Sequence, residues 1–195
     1  SAEPRGVNTP ELIVRLLGFV VLTGLNAFFV ATEFALTRVR QHERSEFEGD
    51  AALERAWEMT ERLEIYLTGC QVGITFTSIL LGVVAEPAVS HLLRPALAAL
   101  GAREGLVQGV SVTVAVILIQ LVHTVWGAQS PTYLGVARPK QVSRFAALPH
   151  LWWTRIASPL IRVGDFLAKW TLRRFGIELS RSWMREHEPD DTPFE

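Results

Sequence analysis

Three stretches of the chain, residues 16–32, 65–85 and 105–137, contain no Asp, Glu, Lys or Arg. About 20 apolar residues, rising about 1.5 Å each, span a hydrocarbon core about 30 Å thick. The second and third stretches reach that length outright. The first reaches it by running on through Glu33 to about Leu36, which makes Glu33 the one acid expected at membrane depth. Thr9-Pro10-Glu11, a cap residue followed by Pro and an acid, marks the expected start of that helix, and Arg38 its approximate end. The pattern predicts an all-α integral membrane protein whose three transmembrane helices form a core over residues 1–137.

The connections read differently. Residues 38–64 are charged and interrupted at Gly49-Asp50, and the helical spacing of Leu53, Trp57, Thr60 or Glu61, and Glu64 predicts an amphipathic helix leading into the second span. After Glu86-Pro87, the apolar piece around Pro95 is too short and broken to cross, so an interfacial loop is expected there. From Arg138 onward, apolar residues mix with Arg144, Arg155, Arg162, Lys169, Arg173 and Arg174, and Pro149 and Pro159 interrupt them. This predicts a Pro-broken juxtamembrane belt, residues 138–185, of two or three interfacial helices. Trp152, Trp153 and Trp170 would lie in the headgroup plane, with Arg155, Arg173 and Arg174 reaching membrane lipid. A fourth span over residues 160–172 would strand Arg162, Asp165 and Lys169 in lipid. Residues 186–195 form an acidic tail. Basic residues concentrate in the first connection and after the third span, against only Arg94 and Arg103 in the second connection. The expected topology therefore has the N-terminus outside and the C-terminus cytoplasmic.

Composition narrows the function classes. The 195 residues suffice for one domain, and it is the distribution of the 20% charged residues, not their share, that sets the class. A net charge of −1 provides no field for nucleic acid. The single Cys70 excludes a disulfide within the chain and reads as a small buried residue. No basic segment precedes the first span and no small-residue cleavage site ends it, so it is expected to be retained. Both ends read as those of a piece of a longer protein. Neither a nucleophile with its base, nor a Gly-rich phosphate loop, nor HExxH is present, so no enzyme is expected.

With that topology, Asn26 falls near the midplane and Thr32 and Glu33 nearer the cytoplasm. Gln71, Thr75 and Ser78 lie in the inner half to the middle, and Gln120, His123 and a break at Gly127-Ala128-Gln129-Ser130-Pro131 lie at the cytoplasmic end. Polar groups in lipid are costly unless they face one another or water, so the coincidence in depth predicts a shared pocket open to the cytoplasm. Helix packing through the same residues, with Gly73, Gly82 and Gly109 at tight contacts, is the competing reading. Glu33 either pairs with Arg38 or stays protonated. Neutral side-chain oxygens and carbonyls freed at a helix break suit Mg²⁺ or Na⁺ better than zinc or copper.

The run from Leu25 through Asn26-Ala27-Phe28-Phe29-Val30-Ala31-Thr32-Glu33-Phe34-Ala35 to Leu36 resembles the first span of the CNNM/CorC family, whose membrane domain is called DUF21. Gln71-Val72-Gly73-Ile74-Thr75 is similar to its second-span QxGIT segment, Glu86-Pro87-Ala88 to its GEPA-like turn, and residues 139–177 to its juxtamembrane belt. The resemblance covers nearly the whole chain. It implies a homodimeric transporter of the prokaryotic plasma membrane that moves Mg²⁺ in exchange for Na⁺, with cytoplasmic CBS domains usually following, none of which is expected within these 195 residues. It also implies a cytoplasm-facing metal pocket, carried over here to Asn26, Gln71, Thr75, Gly127 and Gln129. Thr32, Glu33, Ser78 and His123 would be ion-pathway or structural polar residues. The family closes its third span with Gly-Glu-x-x-Pro-Lys. This chain reads Gly127-Ala128-Gln129-Ser130-Pro131-Thr132, so Ala128 and Thr132 stand where the family has Glu and Lys. Gln129 is one residue away, about 100° around a helix. Two expectations follow: a transporter with an altered site, or a non-transporting scaffold or regulatory subunit that pairs with itself or with a related subunit.

Overall fold

A computed structural model describes residues 8–99, 101 and 103–176, and all regular structure among them is helical. The acidic tail and the last part of the expected belt, from residue 177, lie outside the described residues. Three helical stretches are long and apolar enough to cross a membrane: Thr9–Val39, Leu63–Ala99 and Glu104–Ala137.

The first is α1 (Thr9–Val39). Its N-cap is Asn8, one residue earlier than expected, whose Oδ1 accepts from the Glu11 amide at 2.9 Å. A short 3₁₀ turn (Arg44–Phe47) and α2 (Ala51–Glu61) follow, and Asp50 caps α2 by accepting from the amides of Ala52 and Leu53. The buried face of α2 is Ala56, Met59 and Thr60, while Leu53 and Trp57 are half-buried and Glu61 and Glu64 exposed. The amphipathic helix exists, but its inner face is rotated from the expected one. Ala56 and Met59 supply the apolar contact with Leu36 of α1 and Ala147, and the acids stay in water, where they need no partner.

The second stretch, α3 (Leu63–Ala99), runs as a helix through Pro87 and Pro95, where an interfacial loop was expected. The packing face continues through the proline: Ala85, Ala88 and Ser90 are buried, and Val89 packs with Leu81, Ala85 and Ile119. Helix α3 meets α1 closely at Gly73, where an added Cβ would lie 2.6 Å from the Phe29 ring. Gly82 and Gly109, expected at similar contacts, face open space.

The third stretch combines α4 (Glu104–Val122), a π-helical segment (His123–Gln129) and α5 (Ser130–Ala137). The expected break at residues 127–131 is therefore a widening. Buried positions recur every four residues at Val107, Ser111, Ala115 and Ile119, then at Gly127, Pro131 and Gly135. In an ordinary α-helix each step of four overshoots a full turn by about 40°, and the wider π winding takes back part of that drift. Helix α4 packs on α3, whereas the π segment and α5 pack on α1. Gly135 permits the second contact, since a Cβ there would meet the Ala31 carbonyl oxygen at 2.5 Å.

The expected belt of two or three helices is one helix, α6 (Pro139–Arg174), with Pro149 and Pro159 inside it. Its ends are tied to the charged connections. Lys140 pairs with Glu46, Arg144 Nη2 with Asp50 at 3.0 Å, and Lys169 Nζ with Glu64 at 3.1 Å and Asp165 at 2.6 Å. Its middle packs on α1 and α3, where the Trp153 ring lies 5.1 Å from Phe29 and 6.3 Å from Phe76. These contacts outweigh the N–H groups that the two prolines remove.

Candidate functional site

Asn26, near the middle of α1 and 1% exposed, ties the three stretches together. Its Nδ2 donates to the Gly127 carbonyl at 2.9 Å, while its Oδ1 accepts from Thr77 Oγ1 at 2.8 Å and Ser78 Oγ at 3.3 Å. Ser78 Oγ also lies 3.4 Å from His123 Nε2. The Gly127 carbonyl is open to Asn26 because Pro131, four residues on, has no N–H to give it. Gly127 must itself be small: a Cβ would sit 2.8 Å from the His123 ring and 3.4 Å from Asn26 Nδ2.

The Thr77 hydroxyl lies within reach of Asn26 Oδ1, of Gly73 O at 2.8 Å and of Ile74 O at 3.1 Å. It has one proton to donate. Asn26 Oδ1, Thr77 Oγ1 and Ser78 Oγ thus form a group of neutral oxygens in which the two hydroxyls keep lone pairs to spare while both of those on Asn26 Oδ1 are engaged. Such oxygens are the ligands a hard cation takes. Among the described residues no three of His, Cys, Asp and Glu converge on a metal-sized space.

The other expected site residues lie elsewhere. Gln71, Thr75 and Gln129 are exposed and make no bond to the Asn26 cluster. Thr32 is buried and donates to its own helix at Phe28 O, 2.6 Å. Glu33 is half-buried. The expected partner Arg38 instead donates to Gln41 Oε1 at 2.8 Å. Thr77 was not anticipated. It sits one turn from Gly73 on the face that meets Phe29, and two residues from Thr75, about 200° around the helix.

In α6, Trp152 is 57% exposed with the Arg155 guanidinium 5.6 Å from its ring centre, and Arg173 and Arg174 are exposed in the last turn. Trp153, expected in the lipid-facing set, turns inward and donates from Nε1 to Gly69 O at 2.8 Å. An indole in an apolar contact keeps its N–H satisfied, and the Gly69 carbonyl provides the acceptor. Beside it His150 is fully buried, with Nε2 at 3.0 Å from Tyr66 O and 3.4 Å from the sulfur of Cys70. Facing a carbonyl, Nε2 carries the proton, which leaves Nδ1 bare and without a partner. Burial holds the His150 pKa below the ordinary histidine value, and the Tyr66 carbonyl opposes this in part.

A family model described as the Cyclin M transmembrane N-terminal domain matches residues 17–190. The chain is 36% identical over 168 residues to the UPF0053 protein YhdP of Bacillus subtilis (strain 168), covering 85% of this chain and 38% of that protein. Over 190 residues it is 30% identical to the UPF0053 protein MT1890 of Mycobacterium tuberculosis (strain CDC 1551 / Oshkosh), covering 95% of this chain and 41% of that one. The chain thus spans about two fifths of the length of these relatives. With three membrane-length helices and a family match over most of its length, the chain belongs to the CNNM family and comprises its transmembrane domain.

Proposed function

We propose that this domain carries divalent cations across the prokaryotic plasma membrane, with Mg²⁺ as cargo, export driven by Na⁺ and a homodimer as the working unit. The observation that supports the reading is the Asn26 cluster, three neutral oxygens gathered where the three membrane-length stretches meet. The N-terminus lies outside and the basic connections lie in the cytoplasm, in keeping with the distribution of Arg. The site is altered at its third-span edge. Ala128 offers no carboxylate, and the Thr132 hydroxyl is spent on Ala128 O at 2.9 Å. A site of neutral oxygens holds Mg²⁺ more weakly than one with a carboxylate.

That neutral edge also favours a second reading, a scaffold or regulatory subunit that keeps the fold, pairs with itself or with a related chain, and moves nothing. Thermal unfolding in detergent during Mg²⁺ titration at constant ionic strength separates the two. A ligand that binds only the folded state stabilises it by about 2.7 kcal/mol at a hundredfold excess over Kd. The transport reading expects a saturable rise selective for Mg²⁺ over Ca²⁺, absent in Asn26→Leu and reached at lower concentration in Ala128→Glu. A flat response up to tens of millimolar in both wild type and Ala128→Glu would select the scaffold.

A further inference from the structure

The Asn26 cluster has an outlet. A cavity of about 370 Å³ lies between α3 and α4, with Ser78 and His123 at one end and Glu86 at the other, and Gln120 along its wall. Ser78 and His123 belong to the cluster itself, so the cavity begins at the candidate site. Glu86 lies 8 residues beyond Ser78, about 12 Å along the helix. It also lies 21 residues beyond Ile65, about 31 Å, which is the thickness of a hydrocarbon core. The cavity therefore runs from the middle of the membrane to the boundary opposite the Arg-rich connections.

Ser78 and His123 are bonded within the cluster and Gln120 Nε2 donates to Thr124 Oγ1 at 3.4 Å, whereas the Glu86 carboxylate would be desolvated without a partner if acyl chains filled the cavity. Glu86 forms no ion pair among the described residues. At about 30 Å³ per water the space holds on the order of ten waters, more than the six around an octahedral Mg²⁺.

We propose that this cavity is a water-filled vestibule linking the Asn26 cluster to the outer face, with Glu86 at its mouth concentrating cations. The cargo rests on the transport reading above; the vestibule does not. The test uses cysteine variants in a Cys70→Ser background, reconstituted in liposomes and labelled with membrane-impermeant methanethiosulfonates. Gly82→Cys and Val116→Cys line the cavity, and a Cβ at Gly82 meets no atom within 4 Å. Ile117→Cys, at a residue 53% exposed and outside the lining, is the lipid-facing control.

The lining cysteines should react at least tenfold faster than the control from the outer side. The ratio of cationic to anionic reagent rates should fall severalfold on Glu86→Gln. Lining cysteines that react no faster than the control, or only from the cytoplasmic side, overturn the vestibule, and an unchanged ratio removes Glu86 from its mouth. Rapid outer labelling together with a flat Mg²⁺ melting curve retains the vestibule and strikes the cation reading alone.

Discussion

At the scale of single residues, close approach decides more than polarity. Gly73 and Gly109 look alike as small residues in apolar helices, yet one faces the Phe29 ring and the other faces open space. Gly73→Ala is expected to cost about 1–3 kcal/mol, because Phe29 must leave its place. Gly109→Ala is expected to be neutral or to stabilise by up to about 1 kcal/mol through helix propensity. Reversible unfolding of the two variants in mixed micelles checks the contrast, and equal losses would mean that α1 and α3 are not held at Phe29. Counting along the helices puts Asn26 and Ser78 toward the middle of their spans but His123 at the cytoplasmic end of the third, whereas the structure sets His123 Nε2 3.4 Å from Ser78 Oγ. Counting does not make azimuth readable. Thr75 and Thr77 share a depth to within about 3 Å, yet only Thr77 reaches Asn26, and which of them does so depends on how α3 is rotated by its glycine contact.

At the scale of elements, gaps between charges located the three membrane-length helices, whereas prolines misled the reading of their ends. Pro87, Pro95, Pro149 and Pro159 all lie inside helices. A helix that forgoes one N–H keeps the buried contacts on both sides of Pro87, Pro149 and Pro159, which a loop would lose. The widening at residues 123–129 was likewise read as a break, since Gly and Pro signal both. Helix α6 carries a testable consequence of its packing. His150 is buried with its folded pKa below the ordinary value of about 6.5, so the folded state binds fewer protons than the unfolded state below that pH. The stability it supports is complete above about pH 6.5 and is lost as the pH falls below it. Melting temperature should drop between pH 7.5 and pH 5, and the drop should be smaller in His150→Gln; an equal drop would place the sensitivity elsewhere.

At the scale of the whole molecule, one helix bundle presents two unlike surfaces. Apolar side chains such as Ile13, Val20 and Ile79 are exposed along the spans, while Arg155, Arg173 and Arg174 are exposed along α6. We propose that α6 lies at the headgroups. Charge reversal at both Arg173 and Arg174 is expected to reduce association with vesicles containing anionic lipid, by about 1 kcal/mol per residue at low salt. Indifference to lipid charge would assign that surface to protein contacts. The π segment His123–Gln129 has a further consequence, best put as slack. A π turn holds one residue more than the α turn it replaces, so the chain can lose one there and close into ordinary helix with α4 and α5 still in phase. Deleting Ala128 should leave a folded protein with Gly135 still against α1, checked by its yield and melting temperature. What such a deletion removes is the placement of the Gly127 carbonyl against Asn26. The fold can spare that residue; the site cannot.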